Sequence, residues 1–435
     1  MWPVDFIEEK RDGKEHSASR INRFIKEYTQ GNVTDYQAAA WLMAVYLKGM
    51  SDEETAALTT AMRDSGEVVD LSPIKGITVD KHSTGGIADT TTLITAPLVA
   101  AAGVRVAKMS GRGLGFTGGT LDKLESVPGF RIALTKDEFF NQVNRIDIAV
   151  IGQSAELAPA DKLLYALRDT TGTVESIPLI ASSVMSKKLA GGAQAIVLDV
   201  KYGDGAFMKT REKAEELART MVRIGKLAGK PTTAVLTSMD APLGMSIGNS
   251  LEIDEAVQVL SGTGGKRLTE VVLTIGAYML KAAGKAVNVE EGKAILQAHV
   301  DDGSGLKKFK DFLEAQGGDA SFIGVRPLTE PVNTREIRAE KSGVVTAVDG
   351  RGLGAVAMEL GAGRARKEDT IELYTGLALH KEIYDAVAEG DPLCTVYATA
   401  RTDIRPYEER IRKAFHIEAG KNVEEEPVIG EVIEG

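Results

Sequence analysis

Apolar residues recur at the helical spacing through the first 70 positions of the chain. The segments 19–30, 35–48 and 52–65 each place apolar side chains about every 3.6 residues and stop at or near a glycine. Thr34 and Ser51 precede acidic residues, as is typical of helix starts. The pattern predicts a bundle of amphipathic helices.

The pattern changes after residue 70. Between 71 and 155, short β-rich runs alternate with helical segments, which indicates an α/β sheet. Helical spacing returns over 156–192, and the continuous apolar run at 195–200 is typical of a buried parallel strand. From residue 337 onwards, short β-rich runs lie between glycines, at 343–348, 355–360, 370–374 and 393–398.

These patterns predict an α/β protein with an additional all-α part, organised in three domains. A small helical domain comprises 1–70 and 156–192. A large α/β domain with a mixed or parallel sheet comprises 71–155 and 193–330. A C-terminal α+β domain with a barrel-like sheet comprises 331–435.

The amino-acid composition limits the kinds of binding partner and compartment that we expect for the chain. The formal net charge is −10, which argues against nucleic acid and anionic membranes as partners, because binding them needs an excess of Lys and Arg. Cys394 is the only cysteine, so we expect no disulfide within the chain and a reducing compartment. The N-terminal residues lack the apolar core of a secretory signal, and the longest apolar stretch, 93–104, is too short to cross a bilayer. A cytoplasmic protein is expected.

Two glycine-rich stretches carry the candidate chemistry. The first, 76–86, and its echo, 107–120, each turn from a short apolar run into lysine, hydroxyl residues and glycines. Glycines let backbone N–H groups approach an anion closely, and Lys81 and Lys108 add positive charge. The hydroxyl donors of the two loops are Ser83, Ser110 and Thr120.

Two such loops at neighbouring strand ends predict a phosphate held from two sides. His82 lies beside the first loop, and Thr92 lies near the start of a helix that is predicted to follow it. The alternative is that the glycine-rich turns only connect strands and that Thr92 is an ordinary helix-start residue. Neither loop has the Gly-x4-Gly-Lys-Ser/Thr spacing, so a nucleoside triphosphate is not indicated.

The segment Lys81-His-Ser-Thr-Gly-Gly and the segment Ser110-Gly-Arg-Gly-Leu-Gly-x-Thr-Gly-Gly-Thr-x-Asp-x-Leu-Glu125 resemble the hallmark segments of the pyrimidine-nucleoside phosphorylase and thymidine phosphorylase family. The resemblance continues through 165–168, 182–188, 199–208 and the C-terminal third, and so covers essentially the whole chain. Two departures are visible: Phe116 stands where many members carry His, and Tyr202 where members often have a small residue.

The resemblance implies a base-binding site formed by Arg168, Ser183 and Lys187, and it favours a phosphate-binding role for Thr92. Cationic donors suit the O2 and O4 atoms of a pyrimidine, and a serine oxygen suits its N3–H. The resemblance also makes His82 the candidate catalytic residue, which hydrogen bonds or donates a proton to the base at O2.

The resemblance further implies a monovalent cation site, typically for potassium, and a homodimer formed through the N-terminal helices. Backbone oxygens and one carboxylate suit a weakly hydrated ion. The implied ligands are the backbone oxygens of Ala88, Leu243 and Ser246 together with Thr90 and Glu255. No organic cofactor is implied, and inorganic phosphate is the co-substrate.

The expected activity is the reversible phosphorolysis of pyrimidine nucleosides (uridine, thymidine and deoxyuridine) to the free base and ribose- or deoxyribose-1-phosphate. Three alternatives remain open. They are a thymidine-specific phosphorylase, a phosphoribosyltransferase of related fold, and a nucleoside-binding or carrier protein without catalysis. The binding protein would keep the pocket but would not need His82.

Overall fold

In the computed structural model, residues 2–113, 115, 118–154, 156–330, 332–366, 368–420 and 424–435 are described. Phe116, one of the two departures from the family pattern, lies outside the described residues.

The α-helices are distributed along the whole described chain. They are α1 (Pro3–Arg11), α2 (Ala18–Thr29), α3 (Asp35–Lys48), α4 (Asp52–Arg63), α5 (Thr91–Ala101), α6 (Thr120–Glu125), α7 (Lys136–Ile146), α8 (Pro159–Thr171), α9 (Ile177–Ala190), α10 (Arg211–Leu227), α11 (Asn249–Leu260), α12 (Lys266–Ala282), α13 (Val289–Asp301), α14 (Ser304–Ala315), α15 (Gly350–Ala357) and α16 (Arg405–Ala414).

The strands are short, with two to eight residues each. They are β1 (Val79–Ser83), β2 (Val106–Ser110), β3 (Ile148–Gly152), β4 (Ala195–Tyr202), β5 (Thr232–Ser238), β6 (Ser246–Ile247), β7 (Asn333–Arg338), β8 (Gly343–Val348), β9 (Gly376–Leu379), β10 (Ala386–Val387), β11 (Pro392–Ala398), β12 (Phe415–Glu418) and β13 (Ile429–Glu434).

The central sheet is mixed, as the sequence predicts. Strands β1, β4 and β5 are parallel, and β13 adds to β5 in the antiparallel direction. The parallel pair β2–β3 continues this sheet through a single bridge between Thr78 and Arg105. The carboxyl ends of the parallel strands therefore meet at one edge, where ligands bind in open α/β sheets.

The helical part combines helices from two separate stretches of the chain. Side chains of α1 to α4 form one apolar core with residues of α8 and α9, around the fully buried Trp41. Capping boxes begin α3 at Thr34 and α4 at Ser51, the two starts that the sequence indicates. Helices α8 and α9 thus belong to the bundle although they follow β3 in the chain.

The C-terminal part combines strands and helices as predicted, but two of its expected strands are wrong. Residues 355–360 form the end of α15 and a π-helical turn, Met358–Ala362, and 370–374 form no strand. The side chain of Asp349 accepts a hydrogen bond from the amide of Gly352 and so caps the start of α15. The last strand, β13, lies in the central sheet.

No helix among the described residues is both long enough and apolar enough to cross a membrane.

Candidate active site

A cavity of about 820 Å³ lies between the carboxyl edge of the central sheet and helices α8 and α9. It is large enough for a small organic ligand together with an inorganic anion. Its wall on the sheet side includes the residues that the sequence assigns to phosphate: Ser83, Thr92, Lys108, Ser110 and Thr120. Its wall on the helix side includes the residues assigned to the base: Arg168, Ser183 and Lys187.

Glycine is required where the second loop folds back on itself. A Cβ atom at Gly119 would lie 2.0 Å from the amide nitrogen of Gly113 and 2.7 Å from Oδ2 of Asp122. That same Oδ2 accepts a hydrogen bond of 2.8 Å from the Gly113 amide. The first turn of α6 therefore holds one end of the loop in place, with Thr120 at the helix start facing the cavity.

Lys81 lies beneath the cavity instead of in its wall. Its ammonium group is buried, donates to the hydroxyl of Thr91, and lies 3.4 Å from Oγ1 of Thr92 and 3.5 Å from Oδ2 of Asp199. Successive side chains of a strand point to opposite faces, so Lys81 points away from the side that His82 occupies. Its charge lies directly behind the hydroxyl of Thr92.

Lys108 shares a buried carboxylate with a second lysine. Its Nζ lies 3.4 Å from Oδ1 of Asp80, and Nζ of Lys188 lies 2.7 Å from Oδ2 of the same side chain. Burial lowers the pKa of Lys108 to about 8, although Asp80 opposes this shift. Burial disfavours the charged form of Asp80, but Lys108 and Lys188 outweigh that effect and its pKa lies below the ordinary value.

His82 is neutral at physiological pH. Burial, followed by the nearby ammonium groups of Lys188 and Lys108, holds the pKa of His82 well below its ordinary value. The half-buried ring lines the cavity between the two walls. In this state it offers one N–H donor and one acceptor nitrogen, so it suits a hydrogen bond to a carbonyl oxygen.

Hydrogen bonds hold Ser183 and Lys187 in place on the helix side of the cavity. Nζ of Lys187 lies 2.5 Å from Oδ2 of the buried Asp161 and 3.2 Å from Oγ of Ser183. Ser183 and Lys187 are four residues apart, so both project from one face of α9.

Arg168 also stabilises the backbone near the cavity. Its guanidinium donates to the backbone oxygens of Thr173, Val174 and Leu179 at 3.3, 2.6 and 3.1 Å, and so fixes the connection between α8 and α9. It also lies 5.6 Å from the ring centre of Tyr165. Three of its five N–H groups serve the backbone, and two remain available for a ligand.

The implied cation site is centred on Glu255, in the middle of α11. Glu255 is 1% exposed, and its carboxylate accepts hydrogen bonds from the amide of Met245 and the hydroxyl of Thr90. Burial raises the pKa of Glu255 to about 8. Lys123 pairs with Glu252 at 2.5 Å, and no ion pair reaches Glu255 from the residues that the structure describes.

Glu255 and Thr90 suit a monovalent cation, which would supply the positive charge that no described ion pair provides beside Glu255. Ala88 adopts a left-handed backbone conformation with φ of +56°, and its carbonyl accepts hydrogen bonds from the amides of Gly244 and Thr90. Leu243 directly precedes Gly244, and Ser246, the first residue of β6, directly follows Met245.

Several cavity residues carry no signal of their own in the sequence. Lys188 follows Lys187 and looks like a surface charge, and Arg351 comes from α15, far along the chain. Phe207 also lines the cavity and is 44% exposed. Further polar residues of the lining to which the sequence assigns no role are Thr84, Asp89, Arg112, Gln153, Tyr165, Glu175 and Lys209. Only the folded chain brings them together.

Comparisons with protein families cover most of the chain. Residues 4–66 match the helical bundle domain of a glycosyl transferase family, and 75–306 match the α/β domain of the same family. Residues 344–418 match the pyrimidine nucleoside phosphorylase C-terminal domain.

Individual relatives agree with this result. The pyrimidine-nucleoside phosphorylase of Bacillus subtilis is 56% identical over 399 residues, 92% of each chain. That of Staphylococcus haemolyticus is 53% identical over 421 residues, 96% of this chain and 97% of its own. The crystal structure of anthranilate phosphoribosyltransferase from Thermus thermophilus matches 71% of this chain and 98% of its own with a TM-score of 0.58. At 19% identity, this likeness shows a shared fold alone.

Proposed function

Because the chain belongs to the pyrimidine-nucleoside phosphorylase family, we propose that it catalyses the reversible phosphorolysis of pyrimidine nucleosides. In this reaction a phosphate oxygen forms a bond to the anomeric carbon of the sugar while the N-glycosidic bond breaks. The bonding electron pair leaves with the base, which ends as the free pyrimidine after it takes up a proton. The other product is ribose- or deoxyribose-1-phosphate.

The observation that carries this proposal is the composition of the two cavity walls. Hydroxyl and ammonium groups at the strand ends suit a phosphate ion, and the groups on α8 and α9 suit a pyrimidine edge. A nucleoside held between them would present its anomeric carbon to the phosphate. Positioning of this kind, with charges placed where charge develops, supplies most of the catalysis in such reactions.

We assign the roles as follows. Ser83, Ser110, Thr120 and Lys108 hold the phosphate in the cavity, with Thr92 in contact and Lys81 behind it. Arg168, Ser183 and Lys187 hold the base, and their cations offset the negative charge that builds on it. His82 donates its neutral N–H to the base O2 as the glycosidic bond breaks, which the depressed pKa of its ring supports.

A potassium ion at Glu255 would act on the phosphate loop from outside the reaction centre. Thr90, which hydrogen bonds to Glu255, directly precedes α5, and α5 carries Thr91 and Thr92 at its start. A cation that fixes Thr90 would therefore also fix the position of the Thr92 hydroxyl. No reaction step passes through the ion.

A homodimer is the proposed assembly, with the outer face of α3 at its centre. Tyr36, Met43 and Leu47 lie on one side of this helix and are 75%, 37% and 70% exposed. Trp2, at the start of α1, is a further exposed apolar residue of the same bundle at 70%. Exposed apolar residues that cluster in this way are typical of surfaces that bind another protein.

The test is to incubate the purified protein with uridine or thymidine, with and without phosphate, and to follow the free base by chromatography. The proposal requires release that depends on phosphate. Release from both nucleosides indicates a broad specificity, and release from thymidine alone a thymidine phosphorylase. Release without phosphate would indicate a hydrolase and would refute the proposal, as would no release under either condition.

A further inference from the structure

We propose that Asp80 is a positioning residue, whose buried carboxylate holds the ammonium groups of Lys108 and Lys188 side by side at the floor of the cavity. The inference rests on the proposed function, because the two lysines are taken to serve the anionic co-substrate. Neither Asp80 nor Lys188 is among the residues that the glycine-rich loops or the base-binding helices single out.

The geometry of Asp80 is that of a shared counter-ion. Its side chain is 7% exposed, and each of its two oxygens faces a different lysine, at 3.4 Å for Lys108 and 2.7 Å for Lys188. The ammonium group of Lys108 donates in addition to the backbone oxygen of Lys81. Both lysines are 4% exposed, yet both line the cavity.

The three residues come from three different elements. Asp80 lies on β1, Lys108 on β2 and Lys188 on α9, so the carboxylate joins the sheet side of the cavity to the helix side. Strand alternation places Asp80 and His82 on the same face of β1. Asp80 therefore lies next to His82 on this face, between the residues assigned to phosphate and those assigned to the base.

Charge balance explains why a carboxylate is needed there. The charged and titratable groups around Lys108 are Asp80 and Lys81 on β1, His82 beside them, and Lys188 on α9. Without Asp80 the cluster would hold buried cations with no counter-charge, and burial alone favours loss of a proton from such lysines. Asp80 thus supplies a counter-charge to Lys108 and Lys188 while both side chains still line the cavity.

Loss of the Asp80 carboxylate should change the pKa of Lys108 in a direction that a general loss of structure would not explain. Asp80 raises the pKa of Lys108, whereas Lys188 lowers it. The substitution Asp80→Asn should therefore lower the pKa of Lys108, and Lys188→Gln should raise it. A general structural defect would not shift a titration in opposite directions in two neighbouring variants.

The experiment measures the pH dependence of kcat/KM for phosphate in the wild type, Asp80→Asn, Lys188→Gln and the control Asp311→Asn. Asp311 pairs only with Lys307 along the exposed face of α14 among the contacts described. The ionisation of phosphate itself is the same in all four proteins, so differences in the alkaline limb report the enzyme. Thermal melts establish that each variant is folded.

For Asp80→Asn we expect the KM for phosphate to rise about tenfold or more, as for a weakened charge-assisted hydrogen bond, and the alkaline limb to move to lower pH. For Lys188→Gln we expect the alkaline limb to move to higher pH, and for Asp311→Asn no change. Should Asp80→Asn fail to fold, the direction of the shift in Lys188→Gln decides alone.

An unmoved limb in Asp80→Asn, or shifts of both variants in the same direction, would overturn the inference while leaving the proposed function in place. The proposed function fails instead if the wild type itself releases no base in the presence of phosphate. The two failures are therefore distinct.

Discussion

Two lysines of the cavity, Lys108 and Lys187, each lie beside a buried carboxylate, Asp80 and Asp161 respectively. The lysines of the motif could be predicted from the sequence, because glycines and hydroxyls surround Lys108 and because the resemblance singles out Lys187. Their carboxylates could not. Asp80 lies inside a strand and Asp161 in a helix, where an acid carries no signal until the fold shows what it faces.

Lys187 provides a test of the base-binding wall. Replacement by methionine keeps the aliphatic length but removes the charge beside Asp161 and Ser183. We expect Lys187→Met to lower kcat/KM for uridine by about 10- to 100-fold, the effect of one hydrogen bond to a charged group, with little change in the KM for phosphate. Steady-state kinetics with each substrate varied in turn measures both quantities.

The matched control is Lys162→Met, since Lys162 is an exposed residue of the neighbouring helix α8. Its kinetics should resemble those of the wild type. A rise in the KM for phosphate alone in Lys187→Met would contradict the assignment of this lysine to the base.

Glu255 provides a second test at the residue scale. The pKa of Glu255 in the folded chain is about 8, above the ordinary value of about 4.3. At pH values between these two, Glu255 is protonated in the folded state and ionised in the unfolded state. Without a bound cation, stability should fall as the pH rises through this range to about 8. A cation replaces the proton, so potassium should raise the melting temperature most above pH 8.

The measurement compares melting temperatures in potassium chloride and in tetramethylammonium chloride across this pH range. Glu255→Gln should remove the pH dependence of the difference. Equal melting temperatures in both salts at alkaline pH would exclude potassium binding at Glu255.

The helices of the bundle could be predicted from local sequence signals. The elements of the C-terminal part are predicted less accurately. Capping boxes at Thr34 and Ser51 and a stripe of apolar residues define α3 and α4 within one or two residues of the prediction. The run at 355–360 is only six residues long, so its pattern of apolar residues does not separate strand from helix. The return of β13 to the central sheet is a long-range pairing that no local pattern encodes.

The connection between α1 and α2 contains a buried histidine with consequences for stability. His16 stacks on Phe6 at 3.7 Å between ring centres, and neither ring nitrogen has a hydrogen-bond partner among the described residues. Burial holds the pKa of His16 below its ordinary value, against the pull of Glu54. Protons therefore bind the unfolded chain more readily, and stability should fall as the pH drops below about 6.5.

We expect His16→Phe to lose this component of acid sensitivity while it keeps the stacking. The melting temperature of the wild type should fall by a few °C more than that of the variant between neutral pH and pH ~5. Differential scanning calorimetry measures this difference. Parallel curves for the two proteins would show that His16 does not titrate in this range.

At the scale of the whole molecule, the active site depends on elements that are distant in the chain. Residues of β1, β2, α5 and α6 face residues of α8 and α9, and Arg351 of α15 also lines the cavity. Family motifs predict which residues belong to the site. The volume of the cavity and the presence of Arg351 in its lining depend instead on how the elements pack. The proposed dimer surface on α3 belongs to the same bundle that carries the base-binding wall.

The dimer proposal predicts that a charge on the exposed face of α3 separates the subunits. Leu47→Glu should convert the protein from dimer to monomer in light scattering coupled to gel filtration, because an unpaired carboxylate would be buried between the copies. Val287→Glu is the control, since Val287 is 83% exposed and lies outside the helical bundle. A wild-type protein that is monomeric at all concentrations would contradict the proposal.

The most direct test of the central claim identifies the sugar product. Phosphorus NMR of a reaction with uridine and phosphate should show inorganic phosphate converted to ribose-1-phosphate in amounts equal to the uracil released. Equality is required because each broken glycosidic bond must be matched by one new bond to phosphate. Uracil released together with free ribose, and without any new phosphorus signal, would contradict the account.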